Sequence, residues 1–342
     1  MKSNKILVTG GAGYIGAHTA VELYESGFQP VIVDDLSKSD KTLLDGIEQI
    51  TKAKNVFYHG DCCDREFLRS VFEKEKGIET VMHFAAYKSV GESVEKPLMY
   101  YSNNINSLLS LLEVMSNFGV RNFVFSSSCT VYGEPDQIPV DEHAPFKKAE
   151  SPYGATKQMG ERILEDAVSA NQQLNVISLR YFNPIGAHPS ALIGELPIDR
   201  PNNLVPYITQ TATGIREKLT IFGNDYDTPD GTCIRDFIHI VDLAKAHVKA
   251  AEKLLAEKLG GYQYFNLGTG KGVSVLQLVK EFVEATGVKL NYEFGPRRPG
   301  DVVKTYAEAS KAKRELQWNT EYTTKDALTH AWEWEKRLRK LN

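Results

Sequence analysis

The amino-acid sequence predicts an α/β protein with a doubly wound parallel-sheet (Rossmann) domain and a smaller C-terminal α/β domain. Short apolar runs rich in β-branched residues alternate with stretches of helical periodicity through the first half of the chain. Near-continuous apolar strands separated by helices are typical of a parallel sheet covered on both faces. A glycine-rich segment also follows the first apolar run and opens the first helix, as in nucleotide-binding domains.

The predicted elements alternate regularly until residue 183. We expect strands at residues 6–8, 30–33, 55–58, 80–84, 122–125 and 176–179. We expect helices at residues 13–26, 41–51, 65–75, 98–117 and 152–169.

Beyond Asn183 the chain becomes rich in Pro, Gly and Asn, so residues 185–206 are predicted to form a long functional loop. A helix at 205–216, a strand at 219–222 and a Gly/Asp-rich loop at 223–231 are expected next, before strand and helix resume at 236–255. A strand at 262–267 and further helices with a basic turn at 296–301 complete the prediction. We therefore expect a nucleotide-binding domain at 1–183, with a return of the chain at about 236–268, and a second domain at 184–342.

Composition excludes several classes of function. The chain has 342 residues, 25% of them charged, and a formal net charge of -4, which argues against nucleic-acid or anionic-membrane binding. No apolar run approaches the roughly 20 residues that span a bilayer, and the N-terminus has no signal-peptide pattern. The four cysteines (Cys62, Cys63, Cys129 and Cys233) lack Cys-x-x-Cys spacing, so we expect reduced thiols, a cytoplasmic protein and no bound metal.

The glycine-rich segment carries the prediction of a cofactor. Gly10, Gly13 and Gly16 allow a tight turn, close approach of the backbone to a pyrophosphate and close packing of helix on strand. The helix N-terminus that follows provides free N–H groups for phosphates. Asp34, at the end of the second strand, is placed to bind the adenosine ribose hydroxyls, and the Asp34-Asp35 pair would repel a 2′-phosphate. The sequence therefore predicts NAD rather than NADP; a turn of the same shape that binds no cofactor is the alternative.

Further candidates follow the third and fourth strands, at the sheet edge where ligands bind in this class. Asp61 ends the third strand, the run Phe84-Ala85-Ala86 ends the fourth, and the cationic Lys88 lies just beyond. Asn103 lies in the next helix. A solvated loop lysine and a surface asparagine are the alternative interpretations of Lys88 and Asn103.

The chemistry is predicted at Tyr153 and Lys157, which lie four residues apart and therefore on one face of a helix. A tyrosine that acts as a base near neutral pH needs its pKa lowered by about three units from ~10. One lysine at a partly exposed position does not supply all of that shift, so a second cation such as an oxidised nicotinamide is expected. Ser128 ends the fifth strand among other hydroxyls and is placed to bind substrate. An exposed Tyr/Lys pair and turn-capping serines are the alternatives.

These features resemble the extended short-chain dehydrogenase/reductase family, and within it the members that epimerise UDP-hexoses at C4. The resemblance covers essentially the whole chain and is strongest at residues 8–16, 83–93, 126–133, 180–184, 186–189, 201–204, 221–226 and 235–236. It implies tightly bound NAD, a UDP-hexose substrate, a homodimer and a role in galactose metabolism. The implied reaction interconverts UDP-galactose and UDP-glucose: Tyr153 removes the proton of the 4-hydroxyl, hydride leaves C4 and returns to the other face, and Ser128 binds the same oxygen.

The resemblance also implies which other residues contact the ligands. Cofactor contacts are implied for Tyr14, Ile15, Leu36, Ser39, Cys62, Lys157, Tyr181 and Phe182, and both cofactor and substrate contacts for Lys88 and Tyr153. Arg235 and Arg298 match positions that hold the diphosphate, and Asp301 a position that binds the uridine ribose. The remaining implied substrate contacts are Asn183, Asn203, Leu204, Thr220, Ile221 and Phe222.

Three questions remain at the level of sequence: the range of substrates, the alternative classes of protein, and the role of the 98–117 helix. Thr305 stands where the family carries either Tyr or a small residue, so we expect UDP-GlcNAc and UDP-GalNAc to be accepted as well. A dehydratase or decarboxylase of the same family would need a carboxylate just after Ser128, and residues 129–133 have none; a silent NAD-binding regulator would lack Tyr153 or Lys157. The apolar residues of the 98–117 helix (Leu108, Leu111, Leu112 and Met115) suit either a dimer interface or the core.

Overall fold

A computed structural model describes residues 4–198, 200–257, 261–298 and 301–341. The strands are β1 (Lys5–Thr9), β2 (Gln29–Asp34), β3 (Val56–His59), β4 (Ile78–His83), β5 (Asn122–Ser128), β6 (Asn175–Tyr181), β7 (Asn183–Ile185), β8 (Leu219–Phe222), β9 (Ile234–Arg235), β10 (Phe237–His239), β11 (Gly261–Leu267), β12 (Val273–Ser274), β13 (Tyr292–Gly295) and β14 (Lys304–Thr305). The helices are α1 (Tyr14–Glu25), α2 (Lys41–Thr51), α3 (Arg65–Lys74), α4 (Val90–Glu95), α5 (Pro97–Asn117), α6 (Pro152–Ala170), α7 (Leu204–Ala212), α8 (Ile240–Glu257), α9 (Val275–Thr286), α10 (Ser310–Glu315) and α11 (Thr324–Arg339).

The main sheet has seven strands in the order β3-β2-β1-β4-β5-β6-β11, all paired in parallel. Side chains alternate between its faces, as the strand period requires. Ile6 and Val8 pack in one buried cluster with α8, whereas Leu7 packs on the other face with residues of α3, α5 and α6. The predicted doubly wound Rossmann fold is therefore confirmed. The strand order reverses between β1 and β4, and in such sheets the ligand crevice opens at that point.

The C-terminal part has its own apolar cluster. Ile221 of β8, Val279 of α9 and Leu328 of α11 are among its members. Three small sheets accompany it: β8 pairs with β13, β9 lies between β12 and β14, and β7 pairs with β10. Residues 186–198 and 200–203 form most of the predicted long loop, which contains a bridge between Ala187 and Gly194.

Helix α11 also packs against helices of the Rossmann domain. The Trp334 side chain is buried in a cluster with Ala17 of α1 and Leu43 of α2. Its indole N–H donates to the Glu195 carbonyl at 3.0 Å. A Cβ on Gly194 would lie 2.4 Å from the Trp334 ring, so the loop and the indole are in close contact.

Asp236 is a second connection between distant segments. Its buried carboxylate accepts hydrogen bonds from the backbone N–H and hydroxyl of Thr269 at 2.8 and 2.6 Å. It also accepts from the N–H groups of Gly270 at 3.0 Å and Ala307 at 3.1 Å. One side chain thus joins β10 to the turn after β11 and to the segment before α10.

Most predicted elements are confirmed, with differences where local signals are weak. The structure adds the short helix α4 and the short strands β7, β9, β12, β13 and β14, which the sequence did not predict. The predicted strand at 262–267 is β11, at the edge of the main sheet beside β6. The division into domains stays a prediction, and part of the predicted turn at 296–301 lies outside the described residues.

Three other expectations concern cysteines, α5 and membranes. All four cysteines are free, as predicted. Leu108, Leu111 and Met115 are buried in the core and Leu112 packs against the same cluster, so the core interpretation of these residues is the correct one. Within the described part of the chain, no helix has the length and apolarity needed to cross a membrane.

Candidate active site

The glycine-rich loop joins β1 to α1 and is built by close backbone contacts. Gly10 has φ +70°, and a Cβ there would lie 2.7 Å from the backbone nitrogen of Ala85. A Cβ on Gly16 would lie 2.3 Å from the carbonyl oxygen of Gly10. Helix α1 begins at Tyr14 with Gly13 as its N-cap, which leaves the first N–H groups of the helix facing the turn. The loop therefore forms a cradle for phosphate.

Asp34 holds this loop in place. Its Oδ2 accepts from the Ala12 N–H at 3.0 Å, and its Oδ1 accepts from the Leu36 N–H at 2.9 Å and the Ser39 hydroxyl at 2.6 Å. Burial raises the pKa of Asp34, and the hydrogen bond from Ser39 opposes the rise. The carboxylate thus supports the phosphate cradle and also faces the cleft beside Asp35.

We expect Asp34→Ala to weaken NAD binding by about 10- to 100-fold, because hydrogen bonds to a charged group are worth about 1.5–3 kcal/mol. The loss should be smaller for NADP, since the variant removes repulsion of the 2′-phosphate. Titration calorimetry with both nucleotides measures this. Asp35→Asn is the matched control and should change NAD affinity less, because the Asp35 carboxylate accepts hydrogen bonds from the N–H and hydroxyl of Ser37 at an exposed position and none from the glycine-rich loop among the described residues. Unchanged NAD affinity in Asp34→Ala would contradict the assignment.

A continuous cleft runs from the glycine-rich loop to α6. It is lined by 18 of the 20 residues for which cofactor contacts were predicted: Gly10, Gly13, Tyr14, Ile15, Gly16, Asp34, Asp35, Ser39, Asp61, Cys62, Phe84, Ala85, Ala86, Lys88, Asn103, Tyr153, Lys157 and Tyr181. The structure therefore brings together residues that are up to 171 positions apart in the chain (181 − 10).

Leu36 and Phe182 differ from this expectation, because their side chains do not line the cleft. Leu36 has φ 58°, and its side chain packs against the cluster that contains Ala12. Phe182 directly follows Tyr181 in an extended segment, so the two side chains point to opposite sides. Tyr181 faces the cleft, whereas Phe182 is buried beside Tyr132. Any contact of Leu36 or Phe182 with a ligand would therefore involve the backbone.

The sequence did not predict the other wall of the cleft. It is lined by residues of the long loop, Glu195, Leu196, Pro197, Ile198, Arg200 and Asn202, together with Ser89, Tyr100 and Ser107. Glu195 Oε1 accepts from Lys88 Nζ at 3.4 Å and from Asn203 Nδ2 at 2.6 Å, so it connects a predicted cofactor contact to a predicted substrate contact. The Pro/Gly/Asn-rich composition indicated a functional loop but not which of its residues face inward.

Tyr153 and Lys157 lie in the first two turns of α6. Ser151 caps the helix by accepting from the Gly154 N–H at 3.1 Å, and Pro152 occupies the first turn. Lys157 Nζ donates to the Ser126 carbonyl at 2.6 Å and lies 5.8 Å from the centre of the Tyr153 ring. Lys157 is only 4% exposed, whereas the sequence suggested a partly exposed position.

Burial dominates the titration of both groups. It raises the pKa of Tyr153 to about 12, although a hydrogen bond with Ser128 opposes the rise. It also lowers the pKa of Lys157 to about 8, against the opposing charge of Glu161. These protein groups alone therefore leave the phenol protonated near neutral pH. Tyr153 therefore needs a further positive charge beside it in order to act as a base, as expected from the sequence.

The predicted phosphate and ribose contacts form a second cluster. Asp301 Oδ1 is 2.6 Å from Arg298 Nη2 and 3.6 Å from Arg235 Nη2. Thr305 on β14 pairs with Arg235 on β9, so its side chain belongs to the same cluster. Arg235 also acts on the Cys129 thiol, which follows Ser128, and lowers its pKa against a larger rise from burial. The charge of this cluster therefore acts on a residue directly next to the catalytic Ser128.

The remaining substrate candidates are more dispersed. Asn183 has a buried side-chain oxygen that has no hydrogen-bond partner among the described residues, which suits contact with a polar ligand. Leu204 begins α7 directly after Asn203. On β8, Thr220 and Phe222 point outward, but the Ile221 side chain is buried in the C-terminal cluster, so only its backbone is available to a ligand.

The fold and the cleft define a Rossmann enzyme with a Tyr-x-x-x-Lys pair at the end of a dinucleotide site. The model of the NAD dependent epimerase/dehydratase family matches residues 6–268. A UDP-glucose 4-epimerase of Dictyostelium discoideum is 50% identical over 332 residues, which cover 97% of this chain and 96% of that protein. The chain belongs to the NAD dependent epimerase/dehydratase family, and its cofactor is NAD.

Solved structures agree with this assignment. A UDP-glucose 4-epimerase from Bifidobacterium longum in complex with NAD+ and UDP has 44% identity and a TM-score of 0.94, covering 97% of this chain and 98% of that one. A UDP-Glc/GlcNAc 4-epimerase from Campylobacter jejuni has 37% identity and a TM-score of 0.83, covering 98% of this chain and 100% of that one. The resemblance inferred from the motifs is therefore confirmed.

Proposed function

We propose that this protein interconverts UDP-galactose and UDP-glucose by transient oxidation at sugar C4, within galactose metabolism in the cytoplasm. The observation that carries the proposal is the placement of Tyr153 and Lys157 in the lining of the NAD cleft. Ser128 bonds to Tyr153, and Arg235, which with Arg298 lies next to Asp301, acts electrostatically on the adjacent Cys129. The names of the relatives support the same substrates.

Tyr153, Ser128 and Lys157 each have a distinct role in the reaction. Tyr153 takes the proton of the 4-hydroxyl as general base and returns it later as general acid. Ser128, bonded to the phenol, holds the same sugar oxygen. Bound NAD supplies the hydride acceptor and donor at C4. Lys157 adds positive charge beneath the phenol and is positioned to hold the nicotinamide ribose.

Epimerisation also requires that one end of the substrate stays fixed while the other turns. The guanidinium groups of Arg235 and Arg298 suit the oxygens of a diphosphate. With the diphosphate held there, the 4-keto sugar can rotate and present its other face. The protein should therefore bind the nucleotide firmly and the hexose loosely, and it should retain NAD through each turnover.

The test is incubation of the purified protein with UDP-galactose, without added NAD, and chromatographic identification of products. We expect UDP-glucose to form with no net accumulation of reduced nicotinamide. Stoichiometric reduction of NAD would indicate net oxidation of the sugar instead. A dehydrated or decarboxylated product would support the alternative of a dehydratase or decarboxylase.

The second candidate activity concerns N-acetylated substrates. Thr305 pairs in register with Arg235, so a Tyr in its place would put a much larger side chain beside the guanidinium, and the Campylobacter jejuni relative is a UDP-Glc/GlcNAc 4-epimerase. We therefore expect turnover of UDP-GlcNAc, and we expect Thr305→Tyr to reduce it at least 10-fold while UDP-galactose turnover changes less. Thr305→Ser is the matched control and should retain both activities. Absence of UDP-GlcNAc turnover by the unaltered protein would rule out this extension.

We also propose a homodimer formed through α5 and α6. Leu109 of α5 is 38% exposed and Met159 of α6 is 46% exposed, although the two helices pack together on one face of the protein. Sedimentation velocity at several protein concentrations tests this. The double variant Leu109→Glu/Met159→Glu should shift the protein to monomer if these faces form the interface, and an unchanged sedimentation coefficient would exclude it.

A further inference from the structure

Glu161 lies on the same face of α6 as Tyr153 and Lys157, one turn beyond the lysine. Its side chain is 3% exposed and contacts a 4% exposed Arg180 through three N–H···O bonds of 2.5, 2.9 and 3.1 Å. The Tyr262 hydroxyl donates to the same carboxylate at 2.9 Å, and the Ser127 hydroxyl also donates to it. This ion pair is among the most enclosed charged groups of the protein.

Strand β5 places the ion pair in register with the catalytic residues. Three consecutive serines of β5 each contact a different residue of the same helical face. The carbonyl of Ser126 accepts from Lys157, the hydroxyl of Ser127 donates to Glu161, and the hydroxyl of Ser128 bonds to Tyr153. Glu161 is therefore the third member of a row whose first two members carry the chemistry.

We propose that Glu161, fixed by Arg180, is a positioning residue whose buried negative charge keeps the Lys157 ammonium protonated beside Tyr153. The proposal rests on the proposed function for the roles of Tyr153 and Lys157. Without Glu161, Lys157 and Arg180 would be two buried cations with no buried carboxylate between them, and burial favours the neutral form of a lysine. Glu161 is the group that opposes the fall of the Lys157 pKa.

Other groups around Lys157 do not replace this charge. His83 of β4 is buried and its pKa is lowered to about 3, by burial first and then by the charge of Lys157, so it is neutral. Tyr181 of β6 is also buried, and its pKa is raised above the ordinary value, so it is neutral as well. Tyr153 is the catalytic phenol itself. Arg180, on β6, contributes a positive charge that Glu161 compensates.

The first test is Glu161→Gln in the NAD-bound protein, which keeps the shape of the side chain and removes its charge. We expect the alkaline limb of the pH profile of kcat/KM to move to lower pH by about one unit or more, because a unit charge about 6 Å away is removed from a poorly solvated site. An NMR titration of the 13C-labelled Lys157 side chain, assigned with Lys157→Arg and recorded without substrate, should show the same displacement.

Two further variants separate charge from structure. Ser127→Ala removes one hydrogen bond to Glu161 but keeps the carboxylate, so both titrations should stay where they are in the unaltered protein. If loss of the carboxylate partner of Arg180 unfolds Glu161→Gln, the double variant Glu161→Gln/Arg180→Met, which removes both buried charges, should still fold. The double variant should still show the lysine titrating at lower pH.

Unchanged titration of Lys157 in the folded Glu161 variants would overturn the proposal and leave the ion pair a purely structural role. Equal displacement in Ser127→Ala would overturn it too, because packing rather than charge would then be the cause. If the unaltered protein failed to turn over UDP-galactose, the proposed function would fail, while the NMR titration would still decide the role of Glu161.

Discussion

Tyr153→Phe should lower kcat by about 10²- to 10⁴-fold, the usual contribution of a positioned general acid–base group. The variant removes only the phenol oxygen that accepts the proton of the 4-hydroxyl. NAD content should remain close to that of the unaltered protein, because the glycine-rich loop, Asp34 and Lys157 stay in place. Steady-state assays with UDP-galactose and measurement of bound nucleotide after denaturation test both statements.

The pH dependence of activity provides a second test of Tyr153 as the catalytic base. The base must be a phenolate, so activity of the unaltered protein should fall tenfold per pH unit below the pKa of Tyr153 in the NAD-bound state. Residual activity of Tyr153→Phe should lack that limb. Tyr24→Phe is the matched control, since the Tyr24 hydroxyl donates only to the Lys54 carbonyl at an exposed position. A Tyr153→Phe variant within tenfold of normal kcat would show that another group is the base.

Asp236→Ala should lower the free energy of unfolding by about 3–5 kcal/mol, because it leaves four hydrogen-bond donors, one buried and three part-buried, without their charged acceptor. The donors are the N–H groups of Thr269, Gly270 and Ala307 and the Thr269 hydroxyl. Urea denaturation at a fixed NAD concentration measures the change. The exposed Asp227→Ala is the control and should stay within about 0.5 kcal/mol. A loss below 1 kcal/mol for Asp236→Ala would mean that water replaces the carboxylate.

The sequence predicted those parts of the protein whose signal is local. Strand and helix periodicity is repeated over short windows, and Gly10, Gly16 and Asp34 carry constraints that hold in any protein with this turn. The Tyr153/Lys157 spacing likewise specifies a shared helical face without further information.

The remaining features depend on contacts between distant segments. Helical spacing places Lys157 beside Tyr153 but does not say that β5 covers it, so its burial was not predicted. Glu195 faces the cleft because Trp334 holds the loop, and the two residues are 139 positions apart. The buried side chain of Ile221 also depends on packing against α9 and α11, which no local pattern in β8 specifies.

The position of β11 and of Trp334 has a consequence for synthesis on the ribosome. The N-terminal strands emerge early, yet the seventh strand of their sheet is made only at residues 261–267, and the indole that packs on α1 and α2 only at residue 334. A nascent chain must therefore keep the outer edge of β6 unpaired while residues 182–260, nearly a quarter of its length, are added. We expect a fragment ending after β10 to expose that edge and to aggregate or recruit chaperones, which limited proteolysis of stalled nascent chains can detect.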